Sequence, residues 1–531
     1  MPTILRPRLR LLAPLLLIAL AGCGKHSSRD YMMSPASGAM AYDDTAPLEA
    51  GDESYAHVAE NPFKRVTDDA LSTFSIDVDT ASYSNIRRFL EDGSLPPVDA
   101  VRIEEMINYF AYGYAEPTGP TPFAVQTEVA SCPWNRDARI VQIGIKGKSI
   151  APAAVPPRNL VFLLDVSGSM ESPDKLPLLK RSLALLVNDM RPEDSVAIVV
   201  YAGASGVVLP PTRGNERDTI VAALDRLSAG GSTNGRAGIE LAYALAQQNF
   251  RKDGINRVIL ATDGDFNVGT TSQGALEQLI TQKRDSGVFL SVFGFGTGNV
   301  KDSTMEMLAD KGNGNYAYID GMQEARKVLV EEAGGTLVTI AKDVKIQVEW
   351  NPARVGAYRL IGYENRMLAH SDFNNDLKDA GEIGAGHTVT ALYEILPPGA
   401  EGATPDVDAL KYQKPVTVTT ASDELMHVKL RYKAPTGDTS ELISFPVPDS
   451  EQPIDAASSD LRFASAVALF GMKLRNSEFA KQYDFNAVHR LAETALGSDP
   501  NGHRRAMLGL VERAATLAGE PVRTVASTVA K

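Results

Sequence analysis

Cysteine is nearly absent from this chain: 531 residues contain two, Cys23 and Cys132. A disulfide-stapled scaffold and the closely spaced cysteine pairs of a zinc finger or ribbon are thereby excluded. Histidine is also scarce. Of the seven, His26, His57, His370, His387, His427, His489 and His503, none lies between Arg158 and Gly335, so that stretch lacks the usual base for a serine nucleophile. Positive charge is the third deficit, with 53 Lys and Arg against 66 Asp and Glu and a formal net charge of -13. Neutralising nucleic-acid phosphates needs clustered cations, so nucleic acid is not an expected partner. What is present is a 44% hydrophobic, 22% charged composition, which excludes simple disorder. At roughly 100–200 residues per domain, the length implies about three or four domains.

The start of the chain has a distinct pattern. Arg6, Arg8 and Arg10 precede an apolar run, Leu11 to Leu20, too short to span a bilayer, and Leu20-Ala21-Gly22-Cys23 follows at once. This resembles a bacterial lipoprotein signal, in which residues 1–22 are removed and the Cys23 thiol is lipidated. A plain signal peptide would end in an A-x-A-like site, which is missing. Loss of the three arginines takes the charge from -13 to -16. No later apolar run is long enough to span, so acyl chains alone would hold the protein on the membrane. The resemblance implies a cell-envelope location, and Gly24, where an aspartate would signal inner-membrane retention, favours the outer membrane. Residues 23–60 are rich in Ser, Ala, Gly, Met and acid without periodicity, and read as a flexible tether.

Residues 61–157 form an N-terminal α+β segment. Phe74–Asp79 alternates like a strand, Thr80 caps a helix through Leu90 that stops at Gly93, and Ile103–Phe110 suggests another helix. Phe123–Ala130 and Arg139–Lys146 read as an antiparallel pair. Residues 158–335 change character. Apolar runs at Leu160–Leu164, Val196–Tyr201, Val258–Ala261 and Val288–Phe293 alternate with helical patterns at Leu176–Met190, Asp218–Leu227, Ala237–Phe250, Ala275–Arg284 and Met322–Glu332. Strands apolar throughout and separated by helices predict an α/β domain, a mostly parallel sheet with helices on both faces. Ligands of such sheets bind beyond the carboxyl ends of the strands.

Three loops at those ends carry chemistry. Asp165-Val166-Ser167-Gly168-Ser169 follows the first run, Gly230-Gly231-Ser232-Thr233-Asn234 opens a helix, and Thr262-Asp263-Gly264 follows the third run. Together they resemble the metal-ion-dependent adhesion site (MIDAS) of von Willebrand factor A (VWA) domains, whose positions are matched by Asp165, Ser167, Ser169, Thr233 and Asp263. The resemblance implies a Rossmann-like fold and a bound Mg2+, with Mn2+ as a substitute. Mg2+ is small and octahedral and takes oxygen ligands, which the hydroxyls of Ser167, Ser169 and Thr233 suit. Asp165 and Asp263 would balance its charge, directly or through water. A position would stay open for a Glu or Asp carboxylate of a protein partner, and larger Ca2+ would fit less well.

Other apparent motifs are incomplete. Gly144 to Ser149 looks like a phosphate-binding loop, but Gln142 stands where its first glycine belongs and Pro152, Pro156 and Pro157 follow instead of a helix. Asp77 and Asp79 could suggest a metal pair, but helix capping before Ala81 explains at least one of them more simply. Asp372 to Asp376 lacks the glycine and closing glutamate of a calcium loop and reads as a polar surface loop. Cys132, left without a partner once Cys23 is acylated, reads as a buried thiol.

Residues 336–455 form a β-rich module, with strand patterns at Val344–Trp350, Thr388–Ile395, Tyr412–Thr419, His427–Tyr432 and Leu442–Val447. Residues 456–531 hold helical patterns at Phe463–Leu474, Phe485–Leu496 and His503–Leu517. With Phe74–Ser82, Cys132–Asn135 and Asp379–Tyr393, the whole resembles bacterial VWA lipoproteins of the YfbK type. Two strands before the metal-binding domain cannot make a stable sheet alone. Phe123–Lys146 is therefore expected to join Val344–Val447 in one discontinuous, sandwich-like module into which the VWA domain is inserted. The expected function is a membrane-anchored, non-enzymatic module that grips an acidic residue of an envelope partner through its cation. The alternatives are a structural envelope protein with a fold-stabilising metal site, and a metal- or serine-dependent hydrolase.

Overall fold

The computed structural model describes residues 53–76, 79–231, 235–264, 273–298, 300–332, 337–400 and 422–522. Before residue 158 the chain forms β1 (Lys64–Arg65), β2 (Leu71–Ser75), α1 (Ala81–Glu91), α2 (Ile103–Asn108), β3 (Phe123–Ser131) and β4 (Arg139–Gly147). The expected strand at Phe74–Asp79 thus sits earlier, at β2. Asp79 does not cap α1; its carboxylate accepts the backbone N–H of Tyr316 at 2.9 Å and pairs with Arg366 at 3.3 Å. Asp77 lies outside the described residues.

The next stretch is β5 (Arg158–Asp165), α3 (Leu176–Asn188), β6 (Ser195–Tyr201), β7 (Ser205–Arg213), α4 (Arg217–Asp225), α5 (Gly235–Gln248), β8 (Ile255–Thr262), α6 (Gln273–Arg284), β9 (Phe289–Phe295), α7 (Asp302–Lys311), β10 (Tyr316–Ile319) and α8 (Met322–Arg326). Helix α8 passes into a π-helical turn, Lys327–Glu331. The strands make a six-stranded sheet in the order β10-β9-β8-β5-β6-β7, parallel except for β7. The strand order reverses around β5, which pairs with both β6 and β8, so a crevice opens beyond the carboxyl ends of these strands. Every residue of β5 is buried, because one face packs against α3 and the other against α5. Strand β7 was not expected: Pro210 and Pro211 interrupt its pattern, and proline is tolerated in a strand only at an edge, where β7 lies.

After the inserted domain come β11 (Thr339–Trp350), β12 (Ala357–Ile361), β13 (Gly381–Gly384), β14 (Thr388–Leu396), β15 (Glu424–Lys433) and β16 (Ser440–Pro448). The expected strand at Tyr412–Thr419 lies outside the described residues. Strand β14 pairs with β4 along its length, from Thr388 opposite Lys146 to Ile395 opposite Arg139. One sheet therefore runs β1-β12-β14-β4-β3, drawing strands from both sides of the insertion. The second runs β13-β11-β15-β16, with β2 also on β11. The alternation of β4 explains the layering: Val141, Ile143 and Ile145 face the second sheet, whereas Ile140 faces a helical layer. That layer contains α1, α2 and the C-terminal helices α9 (Ser459–Leu474), α10 (Phe485–Glu493) and α11 (His503–Leu517). On α9, Phe463 through Met472 are all buried, as befits a helix enclosed on several sides. Among the described residues no helix is long and apolar enough to cross a membrane.

Candidate metal site

The site grows from the end of β5. Asp165, its last residue, is wholly buried, and three donors hold its carboxylate. Oδ1 accepts the Ser167 backbone N–H at 2.9 Å, and Oδ2 accepts the hydroxyls of Tyr201 and Thr262, each at 3.1 Å. Burial pushes the Asp165 carboxyl above its usual range; hydrogen bonds from Ser167 oppose this and the nearby Asp263 charge adds to it. The turn after Asp165 is pinned by backbone bonds from Val166 N–H to Tyr201 and from Gly230 N–H to Val166, at 3.1 and 2.7 Å. Gly168 N–H donates to Gly231 at 3.1 Å, joining two of the three loops singled out in the sequence. Met170, fully buried, anchors the turn from below.

Ser167 is buried, Ser169 is exposed, and their hydroxyl oxygens lie 3.0 Å apart. The two hydroxyls are hydrogen-bonded to each other at that distance, and neighbouring oxygen ligands of an octahedral ion at 2.0–2.1 Å stand about 2.9 Å apart, so the turn already holds both oxygens within reach of a common ligand position. Asp263 follows β8 directly and is also buried. Its Oδ2 accepts a 2.9 Å hydrogen bond from the Lys175 ammonium, itself buried. Asp165, Ser167 and Ser169 thus share one hydrogen-bonded turn, and Asp263 stands on the next strand over. Thr233 lies outside the described residues, as does Cys23.

Lys175 was missed by sequence reasoning, which treats a lysine ahead of a helix as a surface charge. The available signal was its place at the threshold of α3, directly before Leu176, Leu178 and Leu179, which the fold buries as the chain returns from the serine turn to the sheet. Among the described residues no group of three or more His, Cys, Asp or Glu could hold a metal, so a cation here would depend on hydroxyl oxygens. Elsewhere, the expected buried thiol of Cys132 is present, and burial pushes its pKa well up.

The strand order and the loops at its carboxyl ends define a VWA-domain protein, and residues 159–330 match the von Willebrand factor type A domain family. Residues 49–142 match a family described as von Willebrand factor, and residues 335–517 match "Uncharacterized protein YfbK, C-terminal". The chain is 45% identical over 473 residues to the uncharacterized protein YfbK of Escherichia coli K12, covering 87% of this chain and 81% of that protein. It belongs to the YfbK family. It is also 25% identical over 271 residues to inter-alpha-trypsin inhibitor heavy chain H3 of Mesocricetus auratus, covering 46% of this chain but 30% of that longer protein. A solved structure, von Willebrand factor type A from Catenulispora acidiphila, aligns at 14% identity and a TM-score of 0.39, covering 86% of this chain and 91% of that one.

Proposed function

We propose that this protein is a cell-envelope lipoprotein that grips an acidic side chain of a protein partner through a divalent cation, without catalysing a reaction. The VWA domain supports a role in protein–protein interaction. The finer reading rests on one observation above all: two hydroxyls 3.0 Å apart on a turn held by a buried aspartate, at the switch point of the sheet. Ser167, Ser169 and Thr233 would supply neutral oxygens to the cation, and Asp165 and Asp263 its counter-charge. Mg2+ is the expected ion, and Mn2+ would replace it. The bound cation supplies an electrophilic position for a Glu or Asp of the partner. Acyl chains on Cys23 would hold the protein on the membrane, with Gly24 favouring the outer membrane.

The test uses the full chain and its Asp165→Ala variant. Mg2+ affinity is measured by calorimetry, and partner capture from envelope extract is measured with Mg2+ and with EDTA. Capture that needs both Mg2+ and Asp165 while the fold survives is the expected result. Unfolding when the metal is removed would instead indicate a fold-stabilising cation, and capture that persists in EDTA and in the variant would sink the clamp.

A further inference from the structure

Burying an ammonium costs several kcal/mol unless a partner repays it, so a lysine placed among metal-site carboxylates calls for a reason. Lys175 is fixed along its whole length. Its backbone N–H donates to Ser172 at 3.0 Å, and its carbonyl accepts Leu179 N–H at 2.8 Å as α3 begins. Its stem lies against Gly296, which has φ +76°, and a β-carbon there would overlap the stem. Its ammonium ends on Asp263 Oδ2 at 2.9 Å. Asp165 and Asp263 alone would cancel the charge of a dication. With Lys175 in place, the loaded site keeps one net positive charge.

We infer that Lys175 is a built-in third charge of this site: it stays on Asp263 when the cation binds, loosens the hold on that cation and strengthens the pull on a partner carboxylate. The inference rests on the cation reading above and specifies how that site is tuned. A specificity-setting lysine of this kind favours an anionic ligand over water at the open position. The balance lies between affinity for metal and affinity for carboxylate, because the same charge repels one and attracts the other.

The experiment titrates Mg2+ into the full chain by calorimetry for wild type, Lys175→Met and Lys175→Arg, and then titrates acetate into each Mg2+-saturated protein. Methionine keeps most of the stem and removes the charge. Lys175→Met is expected to bind Mg2+ more tightly by on the order of tenfold, the scale of one unit charge acting on a nearby dication in a water-like dielectric, and to bind acetate more weakly. Lys175→Arg keeps the charge and is expected to stay near wild type in both. A folded Lys175→Met protein whose Mg2+ affinity is unchanged or weaker overturns the inference while the cation reading stands. If neither wild type nor variant takes up Mg2+ or Mn2+, the cation reading fails and the inference with it. Should Lys175→Met not fold, Lys175→Gln replaces it; failure of both marks Lys175 as a purely structural counter-ion and also overturns the inference.

Discussion

Removing Arg87 tests how the N-terminal segment is welded to the inserted domain. Arg87, on α1, donates to Asp320 through Nε at 2.6 Å and Nη2 at 2.5 Å, to Glu324 of α8 at 2.8 Å and to the Tyr109 hydroxyl at 3.0 Å. All the charged partners are shielded, with side-chain exposures of 9% for Arg87, 10% for Asp320 and 1% for Glu324. Arg87→Met keeps the packing stem and strands two buried carboxylates, a loss of about 3–5 kcal/mol for a broken buried pair. The loss should depend on pH. Burial already pushes the Asp320 carboxyl upward while Arg87 pulls it back, so the variant raises it further. A carboxylate whose folded pKa exceeds its unfolded value penalises the fold above that folded pKa, and the penalty lifts as pH falls through it. Urea midpoints at pH 7.5 and pH 5 would measure this, and the deficit should shrink by at least about 1 kcal/mol at the lower pH. Adding Asp320→Asn and Glu324→Gln should recover most of the loss, since neutral groups bury more cheaply than orphaned charges. A deficit below about 1 kcal/mol, or one equal at both pH values, would refute the reasoning.

The Tyr114 ring lies over Gly144 on β4, where a β-carbon would overlap it, so Gly144→Ala should cost about 1–3 kcal/mol by overpacking, read from thermal melts. Burial pushes the carboxyl of Asp302 up to about 6, with Glu306 adding and Arg102 opposing. Because the ordinary value is near 4, stability should fall as pH rises from about 4 to about 6, and the slope should flatten in Asp302→Asn, checked by denaturation across that range. The Cys132 thiol, buried and held protonated, should resist iodoacetamide in the native protein and react on unfolding, as followed by mass spectrometry.

The strands of the inserted domain were legible because β5, β6, β8 and β9 are covered on both faces and so read as unbroken apolar runs. Strand β10 has four residues and β7 contains two prolines, and neither length nor alternation marks them. Helix α7 was legible in principle, since Met305, Leu308 and Ala309 recur at helical spacing and are buried. That Phe123–Lys146 would join the strands after the insertion followed from counting unpaired edges rather than from propensity; which strand β4 pairs with, β14, came only from the structure. At the candidate site, Asp165, Ser167, Ser169 and Asp263 were singled out by the likeness of their ordered loops to the MIDAS pattern, whereas Lys175, which the fold brings to Asp263, was not. Sequence spacing places ligands on loops, but whether a flexible cation folds inward depends on a distant gap, here the missing side chain of Gly296.

The two edges of the central sheet are managed by different means, and this ties the fold to the site. At β10, Asp79 receives Tyr316 N–H at 2.9 Å and Arg87 grips Asp320, so side chains from before the insertion close that edge. Glu53, inside the 23–60 stretch read from the sequence as a tether, is instead held against the fold and extends the same closure to the loop after β9, accepting Gly298 N–H at 2.9 Å and pairing with Arg88 at 2.8 Å. At β7, Pro210 and Pro211 remove backbone donors and discourage a further strand. The inserted domain is therefore braced on one side by charged contacts to the N-terminal segment, while Asp165 and Asp263 lie at the carboxyl ends of the interior strands β5 and β8. The loop after β9 that Glu53 holds also carries Gly296, against which the Lys175 stem lies, so the charged contacts that close the β10 side of the sheet reach the surroundings of Asp263 through packed neighbours rather than through the linker.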